Sequence, residues 1–237
     1  MTRLSVNVNK VATLRNARGA NNPNLVEVVR DCEKYGAEGI TVHPRNDERH
    51  ITLRDVYDIA SVVKTDFNIE GYPDKRFLKI IDDIVPEQVT LVPDPPEVLT
   101  SNRGWKKSDI NIDLKKIIKH IQSLGSKVVI FIDPEIEMLE YVKEMGADRV
   151  ELYTGTYASE YVKNREESIR DYVNVSNYAK EIGVGVNAGH DLDLNNLKYL
   201  KESIPFIYEV SIGHALICDA LYCGLEKTIT SYLNCLK

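Results

Sequence analysis

Three of the five histidines in this chain stand at the end of an apolar, strand-like run. His43 closes Gly39-Ile40-Thr41-Val42-His43 and His190 closes Val184-Gly185-Val186-Asn187-Ala188-Gly189-His190. His214 follows Tyr208-Glu209-Val210-Ser211-Ile212-Gly213, and His50 lies seven residues past the first, in an arginine-rich loop. Imidazole ionises near neutral pH, so it can give or take a proton. In proteins built from β-then-α units, ligands bind at the carboxyl ends of the strands. The fifth histidine, His120, falls off the apolar stripe of a helix pattern and is expected to face solvent.

Carboxylates accompany these histidines. Glu70 ends Phe67-Asn68-Ile69-Glu70, and Glu151 stands between Val150 and Leu152. Side chains alternate along a strand, so Glu151 faces away from its apolar neighbours and into the sheet interior. A carboxylate there is costly unless paired or protonated. Glu70 is therefore a candidate base and Glu151 a candidate partner that tunes another group.

Arginines supply the opposite charge. Arg15 and Arg18 follow the first strand, and Arg45 and Arg49 follow the second. Guanidinium binds phosphate or carboxylate through a planar fork of donors. Gly213-His214 precedes a helix pattern, where free backbone N–H groups can hold an anion, and Gly189-His190 repeats the pairing. A zinc or iron site built from the histidines and glutamates is disfavoured: no H-x-H or H-x-x-x-H occurs, and the arginines would repel a cation.

These residues need a scaffold. Strand patterns fall at 4–9, 39–43, 67–71, 88–92, 127–132, 149–153, 184–189 and 207–212. Amphipathic stretches lie between them. Leu114, Ile117, Ile118, Ile121 and Leu124 repeat at helical spacing after Asp113 and stop at Gly125. A second helix is expected over 164–182, and one more over 222–236. Gly36, Gly125, Gly146 and Gly183 each mark a helix stopping before a strand. Eight β-then-α units in 237 residues predict a (β/α)8 TIM barrel with extra helices, one catalytic domain over 1–237. A doubly wound open sheet is the alternative. The long irregular stretch 93–112 reads as a loop over the mouth, a candidate lid.

Composition narrows the partners. The formal net charge is −6, which argues against a nucleic-acid or anionic-membrane surface. Neither a secretory signal nor a bilayer-spanning run is apparent. Cys32, Cys218, Cys223 and Cys235 lack C-x-x-C spacing and read as reduced thiols of a cytoplasmic protein.

Six segments together carry a resemblance. Val6-Asn7-Val8, Ala12-Thr13-Leu14-Arg15-Asn16-Ala17-Arg18-Gly19, Gly39-Ile40-Thr41-Val42-His43, Arg49-His50-Ile51-Thr52, Val186-Asn187-Ala188-Gly189-His190 and Ile212-Gly213-His214-Ala215 resemble the pyridoxine 5′-phosphate synthase family, in order and nearly end to end. The resemblance implies a barrel enzyme that condenses 3-amino-2-oxopropyl phosphate with 1-deoxy-D-xylulose 5-phosphate, releasing phosphate and water, with no metal and no organic cofactor. It implies His43 and Glu70 as proton acceptors, His190 as proton donor and Glu151 as an assisting group. Asn7, Arg18, Gly213 and His214 would hold the aminooxopropyl phosphate; Arg45, His50 and Thr100 would hold the sugar phosphate. It also implies a homo-octamer.

Two positions depart from the family pattern. Asn9-Lys10 stands where many members carry Asp-His, and Asp191 where many carry Gly. All three are expected to touch substrate, with contacts of their own. Two other functions fit the same scaffold: a phosphometabolite-binding protein without turnover, and an aldolase using Lys10 as a Schiff-base lysine.

Overall fold

A computed structural model describes residues 1–94, 103–110 and 112–237. Eight strands form: β1 (Arg3–Asn7), β2 (Gly39–Val42), β3 (Asp66–Gly71), β4 (Gln88–Leu91), β5 (Lys127–Ile132), β6 (Arg149–Tyr153), β7 (Gly185–Gly189) and β8 (Glu209–Ile212). They are parallel, run in sequence order and close with β8 on β1. The barrel expectation holds, and the open sheet is excluded. The helices among the described residues are α1 (Asn9–Asn16), α2 (Leu25–Lys34), α3 (Leu53–Ala60), α4 (Lys75–Ile84), α5 (Leu114–Ser123), α6 (Ile136–Met145), α7 (Gly155–Tyr161), α8 (Arg165–Glu181), α9 (Leu197–Ser203), α10 (His214–Cys223) and α11 (Leu225–Cys235).

Strand alternation divides the chemistry. Leu4, Val6, Ile40, Val42, Ile69, Val89, Ile130, Val150 and Val210 are buried in one apolar cluster with helix residues such as Val29, Val56, Ile80 and Ile121. The alternate positions face inward and are mostly polar. Ser5 Oγ lies 2.7 Å from Thr41 Oγ1, Asn68 Nδ2 donates to Thr41 Oγ1 at 3.3 Å, and Thr90 Oγ1 donates to Asn68 Oδ1 at 3.0 Å. Barrel interiors of this class are usually packed with branched apolar residues. Here a hydrogen-bonded belt fills that space, so the acids above it sit on a polar floor.

Three differences from the sequence expectation stand out; other strand ends shift by one or two residues. First, β1 stops at Asn7 rather than continuing to residue 9. The Asn7 Oδ1 accepts the Asn9 N–H at 3.0 Å, an Asx turn that bends the chain into α1. Asn9 and Lys10 thereby enter the first turn of a helix at the barrel mouth. Second, residues 222–236 are not one helix. Gly224, at φ +78°, separates α10 from α11 and leaves Tyr222 in α10. Third, residues 95–102 and 111 of the 93–112 stretch, read as a candidate lid, lie outside the described residues. One edge is anchored: Trp105 Nε1 donates to Leu91 O at 3.0 Å, and its ring stacks on Tyr72 at 5.8 Å.

Local signals elsewhere behave as their chemistry requires. Gly36, Gly125, Gly146 and Gly183 all take positive φ. His120 is exposed and meets Asp82 at 2.7 Å. The four cysteines are free thiols. The 164–182 expectation matches α8, with Ile169, Tyr172, Val175, Ser176 and Ala179 buried.

One helix end departs from the glycine rule. Val85 caps α4 at φ +50°, a left-handed conformation that a β-branched residue adopts only under strain. Its side chain is largely exposed. Val85→Gly is expected to raise unfolding free energy by about 0.5–1 kcal/mol, the relieved strain less the entropy of glycine. Urea denaturation measures this; a loss of stability would show that Val85 packing outweighs the strain.

Candidate active site

A cavity of about 680 Å³ opens among the carboxyl ends of the strands. It is lined by His43, His50, His190 and His214, by Glu70 and Glu151, and by Asn7, Asn9, Lys10, Arg45, Arg49, Asp191 and Gly213. Of the fourteen positions expected to act on substrate, twelve line it. Arg18 is exposed in the turn after α1 and does not line the cavity. Thr100 lies outside the described residues.

One wall of the cavity is built from three neighbouring strands. Asn7 ends β1, His43 follows β2, and Glu70 is carried inward on β3. The His43 Nδ1 lies 3.9 Å from Glu70 Oε2, beyond a hydrogen bond but within reach of a small rotation or one water. The Asn7 Nδ2 donates to the same oxygen at 3.5 Å. His43 is held from its backbone, whose N–H donates to Asn9 Oδ1 at 3.0 Å. Next to it, the His50 Nδ1 accepts the Ile51 N–H at 2.9 Å, which leaves Nε2 as the nitrogen that carries hydrogen. The two rings meet edge to face at 6.3 Å.

Across the cavity, His190 and Asp191 both take positive φ, +85° and +56°. Such backbone is strained for residues other than glycine. It is pinned from three sides. The Thr154 hydroxyl donates to Gly189 O at 2.7 Å and His190 O at 2.5 Å, and Asn196 Nδ2 donates to Asp191 O at 3.1 Å. The turn lets Asp191 Oδ2 meet His190 Nδ1 at 3.0 Å, while Tyr153 packs edge-on against the imidazole at 5.1 Å. Gly189 has its own reason: a Cβ there would lie 2.3 Å from Glu151 Oε1, so glycine makes room for the buried carboxyl.

Burial sets the charge of these groups. It pushes Glu70 up to about 8; Arg45 pulls the other way, while Asp94 and Glu209 add to the rise. Glu151 is held well above the usual carboxylate range by burial and then by Glu70 and Glu209. His43 is held well below the usual imidazole range by burial, Arg45, His50 and Arg49. Burial, Arg45, Lys10 and Arg49 bring His50 down to about 4. At neutral pH the acids on this wall are largely protonated and its imidazoles neutral.

The arginine cluster is only half as expected. Arg15 is buried and binds Asp55 through two bonds, at 2.5 and 2.8 Å. Asp55 also caps α3 with Thr52. Arg15 is therefore a structural tie between α1 and α3, not an anion ligand. Arg45 donates to Asp94 at 2.9 Å and Arg49 to Asp47 at 2.7 Å. Both still line the cavity, and a guanidinium with five donors can serve a second anion. At the opposite rim, α10 starts after Gly213 with no side-chain cap, and Gly213, His214 and Ala215 face the cavity. Its first N–H groups have no partner within the helix and can meet an anion. The Gly189-His190 pair does not repeat this cradle, because β7 enters the strained turn rather than a helix.

Other lining groups were not anticipated: Phe131, Tyr153, Ser211 and Thr13. Alternation carried a signal for two of them, since Tyr153 is two residues past Glu151 and Phe131 two past Val129. Among the described residues no group of three or more His, Cys, Asp or Glu is placed to hold a metal ion.

Comparison with known proteins decides the family. The model of the pyridoxal phosphate biosynthesis protein PdxJ matches residues 4–237. The chain belongs to the PdxJ family. The pyridoxine 5′-phosphate synthase of Cytophaga hutchinsonii is 56% identical over 237 residues, and that of Bacteroides fragilis 53% over 238, each covering 100% of both chains. Solved structures share the fold at low identity. Phosphoribosyl anthranilate isomerase aligns with a TM-score of 0.61 at 12% identity, covering 100% of this chain and 98% of the other. Thiamine phosphate pyrophosphorylase from Pyrococcus furiosus gives 0.62 at 12%, covering 99% and 95%. Asp191 accepts the strained backbone and gains the contact to His190.

Two measurements check this description. Arg15→Met leaves Asp55 buried without its partner and is expected to cost about 3 kcal/mol in urea denaturation; a loss under 1 kcal/mol would make the pair peripheral. The second is pH. Glu70 and Glu209 bind protons more tightly folded (to about 8 and about 7) than unfolded, so their contribution is present at low pH and lost as pH rises through those values. The lowered His43 and His50 contribute fully above 6.5. Stability should therefore fall between pH 6.5 and 8, less so in Glu70→Gln. A rise over that window would contradict the assignment.

Proposed function

We propose that this chain is a pyridoxine 5′-phosphate synthase that condenses 3-amino-2-oxopropyl phosphate with 1-deoxy-D-xylulose 5-phosphate, releasing inorganic phosphate and water. One observation carries the reading beyond family membership. Imidazoles and carboxyls from positions 43 to 214 converge on one cavity, with an uncapped helix start at one rim and cationic side chains at the other. Two phosphorylated substrates need two anion sites, and proton donors and acceptors must lie between them.

The reaction requires repeated proton transfer. The amine of one substrate adds to the ketone of the other, and the carbinolamine loses water to give a Schiff base. Elimination of phosphate and ring closure follow. A group that both takes and gives protons works best with a pKa near the working pH. Glu70 meets that condition, with neutral His43 beside it as a second acceptor. His190, oriented by Asp191, is the proton donor from the opposite wall, and Glu151 assists from below. Gly213, His214 and Asn7 hold the aminooxopropyl phosphate; Arg45 and His50, with Lys10 and Asn9 on the first turn of α1, hold the sugar phosphate. Arg18 receives no contact in this assignment. The cavity walls keep the two molecules in reacting geometry.

The same reading carries further expectations: one catalytic domain over 1–237, a cytoplasmic location, action without metal or organic cofactor, and a homo-octamer, which light scattering tests.

The direct experiment mixes purified protein with both substrates in the presence of chelator. Pyridoxine phosphate is expected with stoichiometric phosphate; repeated absence of product would overturn the proposal. Glu70→Gln and His43→Ala are expected to lower kcat by about 10²–10⁴-fold with smaller changes in KM. Wild-type kcat should rise with pH through about 8 as Glu70 becomes a base. Near-normal kcat in both variants would remove these residues from their roles.

A further inference from the structure

One buried acid has no part in the reaction just described. Glu209 opens β8, faces into the barrel and is 2% exposed. Its Oε1 accepts from Gln88 Nε2 at 2.9 Å. The Gln88 Oε1 in turn accepts from Arg149 at 2.7 Å and from Asn187 Nδ2 at 3.2 Å. Asn187 stands in register with Glu151 on β6 and with Glu209 on β8. The row Glu151–Asn187–Glu209 thus steps across three adjacent strands, from the cavity wall to the barrel floor.

Among the described residues, two atoms in that row lack a hydrogen-bond partner: Glu151 Oε2 and Asn187 Oδ1. Both are acceptors when Glu151 is ionised, and neighbouring buried acceptors without a donor are unfavourable. A proton on Glu151 resolves this, because a carboxylic O–H can donate to the amide oxygen. A second acid at the other end of the row makes that proton harder to remove.

We propose that Glu209 is a positioning residue for the acid–base centre: through Asn187 and the closed barrel interior its negative charge holds Glu151 as the protonated partner and keeps Glu70 poised to exchange a proton. The inference rests on the acid–base reading of Glu70 given above.

The surrounding charges support it. Around Glu209 stand Arg3 from β1, Asp66 from β3, Gln88 from β4 and Arg149 from β6. Burial pushes Glu209 up to about 7; the Gln88 hydrogen bond, Arg149 and Arg3 oppose the rise, and Asp66 adds to it. Arg3 is paired with Asp66, and both Arg3 and Arg149 lie over the Tyr208 ring, at 5.3 and 3.6 Å. Neither arginine is hydrogen-bonded to Glu209 among the described contacts, so its charge is not cancelled by direct pairing. Glu70 has His43 at 3.9 Å and feels the charges of Arg45, Asp94 and Glu209; Glu151 feels those of Glu70 and Glu209. A carboxyl that ionises near 7 is charged over the range in which Glu70 titrates.

Glu209→Gln tests the proposal, since the amide can still accept from Gln88. Removing a negative charge makes Glu70 easier to ionise. The acid limb of the kcat–pH profile is expected to move down by about 0.5–1 pH unit, with both KM values unchanged. A lower kcat with an unmoved limb would reduce Glu209 to structural support and overturn the inference. Glu70→Gln, run in parallel, separates the two readings. If it keeps turnover, the role of Glu70 fails; if it is inactive and the Glu209→Gln limb stays put, only this inference fails. Should Glu209→Gln not fold, carbon-13 carboxyl NMR of the wild-type protein decides. The Glu70 resonance, assigned by its loss in Glu70→Gln, is expected to show a second inflection at the Glu209 titration; a single inflection overturns the coupling.

Discussion

The free energy of removing a carboxylate from water governs this site. Glu70, Glu151 and Glu209 all point into a closed barrel, where charge is poorly solvated. Burial is the first cause of every raised carboxyl in the set. A barrel lined by branched apolar residues would make such acids inert. The belt of Ser5, Thr41, Asn68 and Thr90, with Gln88 and Asn187 below, hydrates the interior with protein groups instead. The acids can then lie between charged and neutral forms rather than being locked in one.

The rest of the architecture protects that balance. Arg45 is near enough to Glu70 to lower the cost of its ionisation, yet its bond to Asp94 keeps it from forming a full ion pair there. Neutral His43 stands beside the acid without neutralising it. On the far wall, two strained residues are held in place by Thr154 and Asn196 so that His190 faces the same space. The Arg15–Asp55 tie fixes α1 against α3, and α1 carries Asn9 and Lys10 at the cavity edge. Stability and chemistry thus draw on different arginines within one loop pair.

Much of this was legible in the sequence, for physical reasons. Short apolar runs, many rich in Val and Ile, marked the eight strands, because the outer barrel face must bury apolar surface against helices; Gly36, Gly125, Gly146 and Gly183 marked the helix stops before four of them. Alternation alone turned Glu151 inward. Histidines at strand ends located the cavity, since parallel strands deliver their carboxyl ends to one side. Other features were hidden. Arg15 finds its partner 40 residues away in Asp55, and no local pattern distinguishes such a tie from a ligand. The turn at Asn7 depends on one side-chain bond. Glu209 carries no such signal, because it lies at the end of the barrel away from the cavity and its link to Glu151 runs through strand register rather than spacing.

The central claim is that burial keeps Glu70 protonated near neutrality. Difference infrared spectroscopy of the wild-type protein against Glu70→Gln reads this directly. At pH 7 the account predicts a carboxylic C=O band that belongs to Glu70 and gives way to a carboxylate band as the pH passes about 8. A Glu70 that already shows only the carboxylate band at pH 6 would contradict it.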